Sequence, residues 1–238
     1  RTEGLPKEVL DAQTSESALL HARLAMLLEP GARTEPVRSR LNLALQLDPN
    51  DSLALTFAAF LELEQGNFPI AEVLAERALV DPPPGARNKL VEGLVAARLQ
   101  QGKLDQAQPV LEDYLKAHGE SYKAHFLMGQ LMFRRKKFEE ARAHLDRAVK
   151  LNIASPESYW GLAQANLELG RLEDSERAFV NLLSLTPDDA RANFHLGLLR
   201  MKMGKSAEAR ESFQQVLELE PGNAEARTLV STLPKSFW

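Results

Sequence analysis

The sequence predicts an all-α protein built as a solenoid of helical hairpins, and three observations lead to that prediction. Single glycines recur at a fixed interval: Gly170 and Gly204 are 34 residues apart, and Gly102 lies twice that distance before Gly170. Each interval holds two segments with helical apolar periodicity and a short turn between them. No segment sustains the period-two alternation of a half-buried strand, so we expect no sheet.

The period divides most of the chain into consecutive blocks. The six blocks are 18–51, 52–87, 88–121, 122–155, 156–189 and 190–223. The last four follow one another at 34 residues without a gap, and block 52–87 has two more residues, which fall in the loop "DPPPGAR". Self-similarity at this interval is typical of proteins whose repeats stack on one another.

Small side chains recur at two places in the blocks. The eighth position holds Ala25, Ala59, Val95, Gly129, Ala163 and Gly197, and the twentieth holds Val37, Ala71, Ala107, Ala141, Ser175 and Ala209. Small residues there let the two helices of a hairpin approach closely, and larger ones would overpack the contact at about 1–3 kcal/mol each.

Local signals mark the ends of the helices. Ser155 followed by Pro156 is a strong start signal, and Ser206 is expected to cap the second helix of its block. Gly204 suits the left-handed end of the preceding helix. Two departures stand out: Pro109 is expected to shift or kink the start of its helix, and Lys136 replaces the turn glycine.

Outside the blocks lie two terminal segments. Residues 224–238 are expected to be a capping helix, from 224 to 233, followed by a tail. Such a helix would cover the apolar face of the last repeat. Residues 1–17 are expected to form a short helix from Pro6 or to remain mobile.

The pattern resembles the tetratricopeptide repeat (TPR) family, and the resemblance extends over residues 18–223. The family has small residues at positions 8, 20 and 27, Gly at 15, an aromatic residue or Leu at 24 and Pro at 32. The segment "NFHLGLLRMKMGKSAEARESFQQVLELEP", residues 193–221, matches almost all of it. The resemblance implies a right-handed superhelix with a concave face, made of six repeats and a C-terminal capping helix.

Composition and spacing argue against most other function classes. The net charge of -4 lacks the basic character of nucleic-acid binders, and without cysteine there is no thiol chemistry or Cys-ligated metal. The five histidines show no H-x-x-x-H spacing, and the glycines form no phosphate-binding loop. We therefore expect no enzyme, no cofactor and no metal, and no apolar run reaches the roughly 18 residues of a membrane span.

The resemblance also implies a binding surface, because the family lines its concave face with positions 2, 5, 9, 12 and 13 of each first helix. The residues expected to form this groove are Phe60, Phe126, Gln130, Phe133, Arg134, Trp160, Gln164, Leu167, Phe194, Leu198 and Met201. Two interpretations stay open: a hydrophobic groove for a partner, or side chains that pack within the solenoid. For one adjacent pair, Tyr159 is assigned to the fold and Trp160 to the partner.

The expected function is a protein-interaction scaffold that holds an amphipathic helix or an apolar peptide and assists assembly of a complex. The Lys and Asn clamp by which some family members hold acidic chaperone tails is missing, since Glu92, Ala96, Phe126 and Gln130 stand at its positions. The basic turn 134–137, "RRKK", is interpreted as solvated, with an acidic partner or anionic lipid as the alternative.

A narrower alternative comes from whole-chain similarity. Six repeats, the lack of cysteine, the start at Arg1 and an Ala-, Leu- and Arg-rich composition resemble the TPR lipoproteins that act as pilotins. Those proteins help an outer-membrane secretin assemble for type IV pili. This alternative favours the periplasm or outer membrane, with membrane attachment only through an N-terminal lipid anchor preceding Arg1. We expect a monomer that binds no nucleic acid.

Overall fold

A computed structural model describes residues 34–234, and all regular structure within them is helical. The helices are α1 (Thr34–Leu47), α2 (Ser52–Glu64), α3 (Phe68–Ala78), α4 (Arg87–Gln100), α5 (Leu104–Ala117), α6 (Tyr122–Arg134), α7 (Phe138–Leu151), α8 (Pro156–Glu168), α9 (Leu172–Leu185), α10 (Ala190–Lys202), α11 (Ser206–Leu219) and α12 (Ala224–Thr232). The all-α prediction is confirmed. The N-terminal segment 1–17, the first helix of block 18–51 and residues 235–238 of the tail lie outside the described residues.

The chain forms two compact units, and the first extends to Lys116. Its described part holds α1 to α5, with α2 and α3 forming one antiparallel hairpin. Two clusters of buried side chains belong to the described part of its core. The first consists of Leu41, Ala44, Ala54 and Ala58, and the second of Leu55, Ala59, Ala75, Ala78, Leu90 and Leu94.

The second unit begins at Ala117 and holds three hairpins, α6–α7, α8–α9 and α10–α11, followed by α12. Each hairpin packs on the next, and α12 packs on α11. Two core clusters contain the fully buried aromatic rings. The first consists of Ala163, Ala178, Phe179, Leu196 and Leu199, and the second of Ala209, Phe213, Val216 and Ala226.

Close approach of the two helices in a hairpin explains the small side chains. At the eighth position of α10, a Cβ added to Gly197 would lie 2.6 Å from Cε1 of the buried Phe213 ring. In the preceding hairpin, the buried Ser175 donates its hydroxyl hydrogen to the carbonyl of Ala163 at 2.8 Å. The eighth and twentieth positions therefore face each other across this hairpin.

The turns between paired helices use one backbone conformation. Gly170 and Gly204 have φ of 72° and 76°, in the left-handed region that a glycine adopts without a Cβ penalty. Lys136 takes the same place with φ of 59°. The substitution noticed in the sequence therefore leaves the turn geometry intact and places a lysine in an unfavourable region.

Helix starts agree with the sequence at one position and differ at two. Ser155 caps α8 by accepting a hydrogen bond from the Ser158 amide, and Pro156 is the first helical residue. The expected cap at Ser206 is wrong, because Ser206 is already helical and Lys205 holds the cap position without a side-chain bond. The expected shift of the helix start at Pro109 is also wrong: α5 begins at Leu104 and includes the proline, and the amide of Ala107 bonds to the Lys103 carbonyl upstream of it. The alternative, a kink at Pro109, stays a prediction.

Polar side chains join successive hairpins at a repeated place, the fifth residue of the second helices α1, α3, α9 and α11. In the first unit, Glu72 of α3 accepts from Arg98 Nε of α4 at 3.1 Å and from Lys103 at 2.6 Å. In the second unit, Glu176 of α9 accepts from Arg200 Nε of α10 at 2.9 Å and also from Lys205. We call this arrangement the junction pair.

At two further junctions the fifth residue of the second helix also bonds to the next helix, but through different chemical groups. Arg38 of α1 donates to Glu62 of α2 at 3.0 Å, which reverses the charges of the junction pair. Arg210 of α11 donates to the backbone carbonyls of Val230 and Leu233 at the end of α12. Because these contacts recur where hairpin meets hairpin, they help to fix the register of stacking within each unit.

Candidate functional site

The second unit presents a row of partly exposed apolar side chains on its first helices. The fifth residue is aromatic in each of the three: Phe126 in α6, Trp160 in α8 and Phe194 in α10. Gln130, Phe133, Arg134, Gln164, Leu167, Leu198 and Met201 complete the predicted set in this unit. None of the set is fully buried, and Leu198 and Met201 are 39% and 37% exposed. We call these ten residues the first-helix row.

Several rings of the row also help to hold their own hairpins together. The Trp160 ring packs edge-on against buried Phe179, with centroids 5.5 Å apart, and Phe194 packs against buried Phe213 at the same distance. Each ring therefore has an inner edge in the core and an outer part that solvent reaches. The two interpretations of these aromatics, groove and packing, are compatible with one conformation.

The surroundings of Trp160 differ from those of the other rings. The Arg191 guanidinium carbon lies 3.8 Å from the centre of its ring, within the range of a cation–π contact. The His195 ring lies edge-on to Trp160, with centroids 5.1 Å apart. Burial lowers the pKa of His195, and the Arg191 charge lowers it further, while Asp189 opposes them. The outer part of Trp160 thus lies beside one guanidinium and one imidazole with reduced basicity.

Two amide side chains accompany the aromatic rings. Gln130 in α6 and Gln164 in α8 are each the ninth residue of their helix and partly exposed. Neither side chain bonds to any residue within 34–234. Side-chain amides with free donors and acceptors can bond to the backbone of an extended or helical peptide.

Phe60 belongs to the first unit and is described there by itself. It lies on α2, is partly buried and packs against the cluster that contains Leu55 and Ala59. A Cβ added to Gly93 of α4 would lie 3.8 Å from the Phe60 ring. Phe60 thus contributes to the packing of α2 against α4.

One half of the expected division between Tyr159 and Trp160 is wrong, because Tyr159 is not among the buried core residues. The assignment of Trp160 to a partner stays a prediction. Trp160 packs against a core cluster, whereas Tyr159 is partly exposed and lines an open cavity between α7 and α9. The register predicts which way each ring points, but the depth of each ring depends on its neighbours. Phe179 lies under Trp160, and this contact between two helices cannot be derived from one helix alone.

Sequence reasoning missed two features of the second unit. The first is Arg191, which stands at position 2 of its block. The family lines its concave face with this position, so the repeat register could have predicted Arg191 as a groove residue. The second feature is a pair of histidines on α6 and α7, with Nδ1 of His125 3.0 Å from Nδ1 of His144. His125 Nε2 donates to the Gly119 carbonyl, so its Nδ1 is the acceptor for His144.

Binding of a metal ion would require a group of ligating side chains among the described residues. No three His, Cys, Asp or Glu side chains of residues 34–234 are grouped so that they could hold a metal ion. Among the helices given above, none combines the length and the apolar character needed to cross a membrane.

Comparison with solved structures shows which proteins share this fold. PilW, described as a widely conserved type IV pilus biogenesis factor, aligns over 90% of this chain and 98% of its own, with 19% identity and a TM-score of 0.77. Pseudomonas aeruginosa pilF aligns over 92% of this chain and 99% of its own, with 17% identity and a TM-score of 0.71. A chain of the APC/C hetero-tetramer Cut9–Hcn1 aligns over 94% of this chain and 45% of its own, with 16% identity and a TM-score of 0.74.

Sequence comparison identifies the repeat itself. No curated protein matches the chain significantly. The tetratricopeptide repeat model matches residues 93–159 and 161–224, which together exceed half of the chain. The expected resemblance is confirmed, and the chain belongs to the tetratricopeptide repeat family.

Proposed function

We propose that the first-helix row binds an apolar or amphipathic peptide segment of a protein partner, and that the chain is a non-enzymatic scaffold assisting assembly of a complex. Tetratricopeptide repeats are protein-interaction modules. The observation that carries the proposal is the partly exposed aromatic residue at the fifth place of α6, α8 and α10. Trp, Phe and Arg are frequent anchors of protein interfaces.

The chemistry of the row suits such a segment. Leu198 and Met201 offer apolar surface that gains about 25 cal/mol per Å² when a partner covers it. The amides of Gln130 and Gln164 can satisfy backbone groups of the bound chain. Arg134 at the end of α6 and Arg191 beside Trp160 add positive charge near the apolar surface, which favours a segment carrying some acidic residues.

Exposed residues of the row allow a test that spares the core. The double variant Leu198→Glu, Met201→Glu places two charges on the row at positions already in contact with solvent. Proteins recovered from the source cells by the affinity-tagged chain are compared by quantitative mass spectrometry. We expect at least one protein recovered by the original chain to fall more than tenfold with the variant.

The matched control is Val180→Glu on α9, because Val180 is 44% exposed and belongs to a second helix rather than to the row. It should recover the same proteins as the unchanged chain. Equal recovery with all three chains, while far-UV circular dichroism shows all three folded, would contradict the proposal.

We infer a second candidate function in type IV pilus biogenesis, as an outer-membrane lipoprotein pilotin for secretin assembly. The supporting observation is mutual coverage: PilW and Pseudomonas aeruginosa pilF align over 98% and 99% of their own lengths with nearly all of this chain. A periplasmic or outer-membrane location belongs to this proposal, as does attachment through an N-terminal lipid.

Deletion of the gene in its source organism tests this second function. Loss of detergent-resistant secretin multimers, restored by the intact gene on a plasmid, would support it. Unchanged multimers and unchanged pili in the deletion strain would exclude it, while leaving the peptide-binding proposal open to its own test.

A further inference from the structure

One junction in the second unit lacks the bond that the others have. The fifth residue of α7 is Arg142, and the residue across from it on α8 is Asn166, where the next junction has Glu176 and Arg200. No hydrogen bond joins Arg142 to Asn166. A cavity of about 440 Å³ opens there, within the range of small-ligand sites.

Three polar groups that line this cavity have no adequate partner among the described residues. Asn166 is only 3% exposed, yet its Oδ1 accepts no hydrogen bond. The Tyr159 hydroxyl bonds to no residue within 34–234. Arg142 makes one long contact, from Nε to Glu139 at 3.4 Å, which leaves its two terminal nitrogens unbonded. The buried Asn166 oxygen needs a donor, whereas the Tyr159 hydroxyl and the terminal nitrogens of Arg142 can each donate to an acceptor that enters the cavity.

The charges around the cavity leave Arg142 short of a counter-ion. Two other cations at its rim are each paired: Lys150 with Asp146 at 2.6 Å, and Arg177 with Asp174. The carboxylate near Arg142 belongs to Glu139, which Arg171 engages more closely at 2.8 Å. One acidic side chain therefore serves two guanidinium groups, and the cavity has a surplus of positive charge.

The walls of the cavity complete a small amphipathic site. Val149 of α7, Leu162 of α8 and Ala178 of α9 supply its apolar surface. The site is formed mainly by the second helices α7 and α9 and does not use any residue of the first-helix row. It is a separate surface, and its function does not depend on peptide binding by that row.

We propose that this cavity receives the carboxylate of a Glu or Asp side chain from a protein partner. The terminal nitrogens of Arg142 can donate to both carboxylate oxygens at once, the arrangement in which an arginine binds a carboxylate most specifically. The Tyr159 hydroxyl, which also lines the cavity, can donate to the same carboxylate. The incoming carboxylate takes the role that Glu176 plays within the chain at the neighbouring junction.

The direct test uses N-acetyl-glutamate N-methylamide as the probe and the full chain labelled with ¹⁵N. Titration followed by NMR should shift the Arg142 Nε–H and the Asn166 side-chain amide resonances along saturating curves. The matched probe N-acetyl-glutamine N-methylamide should bind at least tenfold more weakly, since it lacks the charge. Equal responses to both probes, or a tighter response to inorganic phosphate, would overturn the assignment.

A pair of variants keeps the test independent of folding defects. Arg142→Glu combined with Asn166→Arg rebuilds the junction pair, with Arg171 placed as Lys205 is beside Glu176. This double variant should fold and should lose the response to the glutamate probe. Arg147→Gln changes the net charge by the same amount on the exposed side of α7, and should keep the response. Retained binding in the double variant would overturn the proposal, as would loss of binding in Arg147→Gln.

Discussion

Lys136 shows how one residue can depart from a repeat without changing its shape. The turn after α6 keeps the left-handed conformation found at Gly170 and Gly204, and the amide of Lys136 still bonds to the Phe133 carbonyl at 2.9 Å. A side chain with a Cβ pays a steric cost in that conformation. The sequence predicted the position of the turn, and the backbone bonds of the helix end explain why the turn persists.

Replacing Lys136 by glycine should therefore stabilise the second unit. We expect Lys136→Gly to raise the free energy of unfolding by about 0.5–1 kcal/mol, the relief of strain being partly offset by the greater freedom of glycine in the unfolded chain. Urea denaturation followed by circular dichroism measures the change. Gly170→Ala serves as the reverse control and should lower stability; a loss of stability in Lys136→Gly would contradict the account of the turn.

Gly197 illustrates the opposite case, a residue whose small size the packing requires. A Cβ there would lie within 3 Å of three atoms of the buried Phe213 ring, which has no flexible end that could move aside. We expect Gly197→Val to lower the free energy of unfolding by about 1–3 kcal/mol through overpacking. Thermal denaturation checks this. Stability equal to that of the original chain would show that α10 and α11 do not pack as closely as described.

Among the elements, the contacts between hairpins were the hardest to predict. Blocks of 34 residues place helices and turns well, because apolar periodicity and turn residues are local signals. The bonds of Glu72 and Glu176 to the following first helix join residues 26 and 24 positions apart. A sequence shows such pairs only after the stacking register is known, and the same holds for the open junction at Arg142.

The junction pair at Glu176 should make stability depend on pH. Burial raises the pKa of Glu176, but the hydrogen bonds from Lys205 and Arg200 outweigh it and hold the pKa below its ordinary value of 4.5. A lowered pKa in the folded state means that the carboxylate stabilises the fold above the ordinary value. This contribution is lost as the pH falls through the lowered value.

The variant Glu176→Gln isolates that contribution. At pH 7 we expect it to be less stable than the original chain by about 1–3 kcal/mol, because Arg200 and Lys205 lose their charged partner. The difference should stay constant down to about pH 5 and shrink as the pH falls further below 4.5. Chemical denaturation at pH 7, 5 and 3 measures it. A difference that is the same at pH 7 and 3 would contradict the ionised pair.

For the whole molecule, sequence periodicity predicted the fold class and the repeat family. It could do so because each block has the same pattern of apolar residues, which buries one face of its helical hairpin. The partly exposed first-helix row also follows from the register. The depth to which each ring is buried does not follow from the register, because it depends on contacts with rings of another helix, such as Phe179 and Phe213. The open cavity at Asn166 was missed for a related reason: a missing bond leaves no signal in the sequence.

The predicted monomer can be checked on the intact chain. Light scattering of the purified protein should give a mass near 26.5 kDa across a tenfold range of concentration. A mass near twice that value, independent of concentration, would show that the chain forms a stable dimer and would contradict the prediction.

The central claim is that the first-helix row of the second unit contacts a protein partner. Site-specific photocrosslinking in the source cells tests this contact, with benzoylphenylalanine placed at Gln164 in α8 or, for comparison, at the exposed Val180 in α9. We expect a discrete crosslinked partner from Gln164 that disappears when Leu198→Glu and Met201→Glu are added, and no such product from Val180. A product of equal yield from both positions, or one from Gln164 that survives those substitutions, would contradict it.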